Sequence, residues 1–198
     1  MNRRHLLAGM TTALPLLCQA ETQSPALQAI HRVSASAGVQ APLDSVDLSA
    51  WVFHLTSDEY ARCAPAHHGS VQTVLTGGDR VFVSVETIVG SMMVHSYVED
   101  IVSRNRTRLI SYNSQLWMTP GRLATMKVTW ESRLEPALNQ VCKLNCEILV
   151  ETSDTALIAA VARSQPMASE ALRAHCATET QNFAADIARK AGNGLYAK

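Results

Sequence analysis

The chain has 198 residues, of which 47% are hydrophobic, 17% charged and 5% aromatic, with 17 basic and 17 acidic side chains in balance. That is apolar enough to bury a core, which excludes a disordered or collagen-like chain, and the length suits one domain. Without an excess of Lys and Arg no basic patch can neutralise a run of phosphates, so nucleic acid is excluded as an expected partner.

Residues 1–20, MNRRHLLAGMTTALPLLCQA, set Arg3 and Arg4 before an apolar stretch from Leu6 to Leu17 and end on Cys18, Gln19 and Ala20. Charged, apolar and small segments in that order make a secretory signal peptide, and the stretch falls short of the ~20 apolar residues of a spanning helix. The expectation is an exported protein, periplasmic or secreted, with no stable membrane insertion. The arginine pair resembles a twin-arginine export signal, although Asn2 stands where Ser or Thr is usual. Cys63, Cys142, Cys146 and Cys176 then remain in a compartment that permits disulfides. On one strand Cys142 and Cys146 would lie about 13 Å apart, beyond the reach of about 7 Å between Cα atoms that a disulfide tolerates. They are expected as buried thiols.

Residues 21–50 read as a lead-in with one short helix near Ala26 to Val33, and residues 51–198 as the folded domain. Ser57, Asp58 and Glu59 supply a helix cap and acidic first turn, Pro65 closes that short helix beyond Cys63, and Trp51 and Phe53 before it should face the core. From Val71 onward, VQTVL, RVFVSVETIV and SMMVHSYVEDIV alternate with period two and are separated by Gly77, Gly78 and Gly90. Further strands fit Arg108 to Tyr112, Ala124 to Leu134 and Lys143 to Thr152, giving a meandering antiparallel sheet. A short helix over Ala156 to Arg163 and a long one over Met167 to Lys190, divided by Pro166, should close the chain. An α+β chain with a curved antiparallel sheet and a long terminal helix resembles the helix-grip, or Bet v 1-like, architecture, in which sheet and helix enclose a cavity.

On the last helix Leu172, Cys176, Phe183 and Ile187 share a stripe, and His175 and Glu179 lie on its side. Histidine and glutamate four apart can share one cation, and a buried carboxylate is costly unless it is paired or bound to a metal. An ordinary helical hydrogen bond is the competing explanation of the pair. On the strands, alternation groups His95 with Met93, Tyr97 and Glu99, and Glu131 with Lys127, Thr129 and Arg133, opposite Val128 and Trp130. Either set could be a solvated face, and Glu86, Glu99 and Asp100 are rival acids.

The segments HCATETQNFAADIARK, FVSVETIVGSMMVHSYVEDI and VTWESRLEP resemble the 2,4-diacetylphloroglucinol hydrolase and phloretin hydrolase family. The resemblance implies a zinc ion held by two histidines and two glutamates, here His95, Glu131, His175 and Glu179. It also implies hydrolysis of a carbon–carbon bond between an acyl group and a phenolic ring, with a phenolic ketone as substrate. Tyr97 and Tyr112 are the expected substrate-binding side chains, and His54, His67, His68 and Asn113 are further polar groups with no motif to place them. The alternative is a non-catalytic helix-grip protein that binds a lipid or other apolar small molecule.

Overall fold

The computed structural model of the chain describes residues 26–118, 121–138, 141–194 and 196. The expected signal peptide, residues 1–20, lies outside them. Seven strands form one antiparallel sheet: β1 (Gln28–Val39), β2 (His67–Val74), β3 (Arg80–Ile88), β4 (Ser91–Val102), β5 (Arg106–Met118), β6 (Arg122–Pro136) and β7 (Cys142–Thr152). Their order is β1-β7-β6-β5-β4-β3-β2, a meander from β2 to β7 with β1 added beside β7. Helices α1 (Leu48–Phe53) and α2 (Ser57–Cys63) connect β1 to β2, and α3 (Thr155–Gly192) packs along the sheet. This is the helix-grip architecture.

Two expected elements differ. The helix expected near Ala26 to Val33 is strand β1, because Val33, Ala35, Ala37 and Val39 turn inward while Arg32, Ser34, Ser36 and Gly38 face solvent. That is a period of two, which a helix cannot satisfy. The two helices expected around Pro166 are one helix of 38 residues, with Pro166 inside it. A proline removes one helical N–H and leaves the carbonyl of residue 162 without a donor. Ala162 is exposed, so water can serve that carbonyl in place of the missing amide.

The caps follow from local chemistry. Thr56, one residue earlier than expected, caps α2 by accepting from the Glu59 backbone while the Glu59 carboxylate accepts from the Thr56 backbone. That carboxylate also accepts from Arg189 and Lys190 at 2.8 Å each, tying α2 to the end of α3. Partial burial alone would raise the Glu59 pKa, but Lys190, the Thr56 amide and Arg189 lower it to about 2. Asp154 caps α3 through the amides of Ala156 and Leu157. At the β3–β4 hairpin Val89 and Gly90 both have positive φ, 52° and 72°, as a two-residue turn of the primed type demands.

The core lies between the sheet and α3. Trp51, Phe82 and Phe183 are wholly buried, and Phe183 meets Trp51 edge-on at 5.0 Å and Trp130 at 5.6 Å between ring centroids. The Trp51 indole donates to Asp186 at 2.9 Å, which settles its one polar group. Cys63, Cys142, Cys146 and Cys176 are buried free thiols.

Candidate functional site

Four ionisable side chains from three elements converge where the middle of α3 crosses the β2–β3 end of the sheet. His67 on β2 and Glu86 on β3 are register partners, so their side chains share a face. His175 and Glu179 sit one turn apart on the side of α3 turned toward them. All four are buried, with exposures of 5% for His67, 8% for Glu86, 9% for His175 and 5% for Glu179.

The distances are those of donors around a common centre. Glu179 Oε2 lies 3.3 Å from both His67 Nε2 and His175 Nε2, and His175 Nε2 lies 3.5 Å from Glu86 Oε2. Donors bound about 2.0–2.2 Å from a tetrahedral zinc are separated by about 3.3–3.6 Å. One donor atom each from His67, His175 and Glu179 falls within 4.8 Å of the others.

The hydrogen bonding around the group points the same way. His67 Nδ1 lies 2.8 Å from the Tyr60 carbonyl, which can only accept, so the proton sits on Nδ1. The Tyr60 ring stacks on the imidazole at 3.9 Å and 2°. His67 Nε2 is therefore held toward Glu179, yet this fully buried nitrogen makes no hydrogen bond among the described residues, whereas His175 Nε2 lies within ion-pair range of both Glu179 and Glu86. An imidazole oriented through Nδ1 by a carbonyl, with Nε2 left free, is what a metal ligand requires. Tyr60 also donates its hydroxyl to Glu86, and Ser84 donates to the same oxygen at 3.2 Å.

In the metal-free protein the charges must be balanced by protons. Burial works against a charged His175, but the flanking Glu179 and Glu86 carboxylates overcome it and raise its pKa to about 10. Burial would likewise raise Glu86, yet His175 and the neighbouring histidines hold it far below the usual carboxylate range. The group thus favours a cation at its centre, whether a proton or a metal ion.

Of the residues read from sequence as a zinc quartet, the structure brings His175 and Glu179 into the group and leaves Glu131 out. Glu131 on β6 faces away from α3 and accepts from Arg106 at 2.8 Å and Arg133 at 2.5 Å. Its acid place is taken by Glu86, and its alternation opposite Val128 and Trp130 is that of the solvated face. His95 is buried at 4% on β4, two register pairs along from Glu86, with Nδ1 at 2.9 Å from Ser114 Oγ. Tyr97 faces inward at 6% exposure, whereas Tyr112 is 60% exposed beside a β-bulge in β5 and cannot meet a ligand in the cleft. His67 was not separable by sequence from His54 and His68: it opens its strand after Pro65, before any alternation is established.

An apolar cleft runs from this group along α3. Its inner chamber, about 40 Å³, is lined by Glu86, His95, Tyr97, Trp130, His175 and Glu179 among others. Its outer chamber, about 280 Å³, opens between the first half of α3 and the sheet, against Ile88, Met118, Leu157, Ala160 and Val161. Ile88, Met93, Met126, Val150 and Leu172 line both, so the two chambers adjoin.

No family model and no curated protein matches the chain. Solved structures do. TTHA0849 from Thermus thermophilus matches with a TM-score of 0.54 and 11% identity, over 78% of this chain and 94% of that one. The di-domain ARO/CYC StfQ from the steffimycin biosynthetic pathway gives 0.53 and 14%, over 82% of this chain and 52% of that one. A START-superfamily protein from Mycobacterium smegmatis gives 0.43 and 14%, over 73% and 95%. At these identities the likeness is one of fold alone.

The neighbours with TM-scores above 0.5 overturn the assignment to the diacetylphloroglucinol and phloretin hydrolases, and with it the zinc-dependent hydrolase activity. The resemblance rested on a helical His/Glu pair and on Val-rich alternating strands. Helical spacing and sheet pleating produce both without fixing any chemistry.

Proposed function

We propose that the chain is a helix-grip binding protein that holds an apolar small molecule between the sheet and α3, without catalysing a reaction on it. The observation that carries this reading is the cleft itself, whose outer chamber of about 280 Å³ is walled by aliphatic and methionine side chains with His31, Ser91 and Ser164 among them. Pockets that bury small ligands are apolar, with a few convergent polar groups, and close to this size or larger. Methionine suits such a wall, because its flexible thioether adapts to ligands of different outline.

The finer part of the proposal gives the buried His67, Glu86, His175 and Glu179 group a zinc ion. Supporting it are the donor spacing, the carbonyl-oriented His67 and its buried Nε2, which has no hydrogen bond among the described residues. Zinc would supply charge balance for the two carboxylates. Tyr60 fixes both Glu86, through its hydroxyl, and His67, through its carbonyl. Export through the segment at residues 1–20 belongs to the same proposal.

Blocking the cleft tests the binding role. N-phenyl-1-naphthylamine should bind the wild-type chain with a saturable rise in fluorescence. Ala160→Phe fills the outer chamber from α3 and should weaken that binding by at least about tenfold, since the displaced contacts are worth more than about 1.4 kcal/mol. Equal binding to both proteins would contradict the reading.

A further inference from the structure

We infer that the inner chamber is a recognition subsite for one hydroxyl group, read by His95 and Tyr97, so that the ligand is an apolar molecule ending in an alcohol or a phenol. This rests on the reading of the cleft as a ligand site and specifies what that site selects.

The tautomer of His95 is set by a buried chain of serines. The Ser96 amide donates to Ser111 Oγ at 3.0 Å, and Ser114 Oγ donates to the same oxygen at 2.8 Å. A serine hydroxyl has one proton, and that of Ser114 is spent on Ser111. Toward His95 Nδ1, 2.9 Å away, Ser114 can therefore only accept, which puts the imidazole proton on Nδ1 and the lone pair on Nε2. Ser111 and Ser114 are both fully buried. Ser114 meets His95, and Ser111 meets Ser114, where β5 is irregular between the two serines and β4 is irregular between Val94 and Val98. Burying hydroxyl groups on an otherwise apolar sheet face is costly, and here they hold one ring in one protonation pattern.

His95 thus presents an acceptor, and no described residue donates to its Nε2. Tyr97 stacks on it at 5.3 Å between centroids and 27°, and its hydroxyl makes no hydrogen bond to the described residues either. Both side chains line the inner chamber. An alcohol or phenol complements the pair, donating to His95 Nε2 while accepting from the Tyr97 hydroxyl. A hydrocarbon leaves both unpaired.

Size sets the orientation. The inner chamber offers about 40 Å³ and the outer about 280 Å³. The inner one admits a single small group and the outer one the body of the molecule, so the hydroxyl enters first and the apolar remainder lies against the methionines and α3.

A matched pair of probes tests this: 2-naphthol and naphthalene, titrated by calorimetry into the full chain. The wild-type protein should prefer 2-naphthol by about 10- to 100-fold, the range expected when one partner leaves buried polar groups unpaired. His95→Phe should abolish the preference while binding naphthalene at least as well as the wild type. Ser114→Ala keeps the imidazole but frees its tautomer, so it should lower the preference part of the way, and it decides the matter should His95→Phe fail to fold. A preference unchanged in either folded variant overturns the inference and leaves the apolar site standing. Failure of both probes to bind the wild-type chain overturns the site and the inference together.

Discussion

Wild-type protein purified without chelator is expected to carry one zinc ion per chain, and Glu179→Gln none. Glutamine keeps the shape of the side chain and removes the charge. Glu179 Oε2 stands 3.3 Å from both His67 Nε2 and His175 Nε2, so it joins the strand donor to the helix donor. With a neutral amide there, the remaining donors lack the charge that makes a buried site bind a divalent ion. A ligand present at a thousand times its Kd stabilises the native state by about 4 kcal/mol. For a domain of this size, that corresponds to about 8–16 °C in Tm. Saturating zinc should therefore raise the wild-type Tm by about that amount and leave Glu179→Gln unmoved. Chelator should reverse the order, because the metal-free wild type keeps two buried carboxylates with one imidazolium between them, and the variant keeps only one. Metal analysis with thermal melts in zinc and in chelator measures both effects. A wild-type Tm indifferent to zinc and chelator would remove the ion from the site.

Phe183→Ala should cost about 3–5 kcal/mol of stability, the range for truncating a buried aromatic side chain. Phe183 has no exposed surface and contacts Trp51 and Trp130 in the core while approaching the His67 ring at 6.2 Å between centroids. The ring therefore fills the joint between α3, α1 and the sheet, and the neighbours that would have to collapse into its place are rigid indoles. Tyr112→Ala, at a position 60% exposed, should change stability by no more than about 0.5 kcal/mol. Urea unfolding of the two variants, with a lowered midpoint and unchanged slope for Phe183→Ala, checks the contrast.

The meander and its alternation were legible because each strand faces the core on one side only, so inward and outward residues differ in kind. Strand β1 escaped because its inward residues include two alanines, too small to outweigh the serines between them. The unbroken α3 escaped because proline is a strong local signal, and here the exposed surface around residue 162 blunts it. At the site, His175 and Glu179 were legible as a pair on a helical stripe. Glu86 was present in the same alternation that marks Phe82 as inward, as an acid on a core face, but its claim could not be weighed against Glu131 without knowing which face of β6 is buried. His67 carries no local signal at all: its place depends on register with Glu86 and on the Tyr60 carbonyl, 7 residues away in sequence and on a different element.

The occupant of the cleft can be located directly by methionine-methyl NMR during a titration with naphthalene. Met93, Met118 and Met126 line the chambers, whereas Met92 and Met167 are 41% and 62% exposed outside them. Saturable shifts in the first three methyl resonances, with the last two unmoved, are the predicted result. Shifts confined to Met92 and Met167, or none at any concentration, would contradict a ligand held between the sheet and α3.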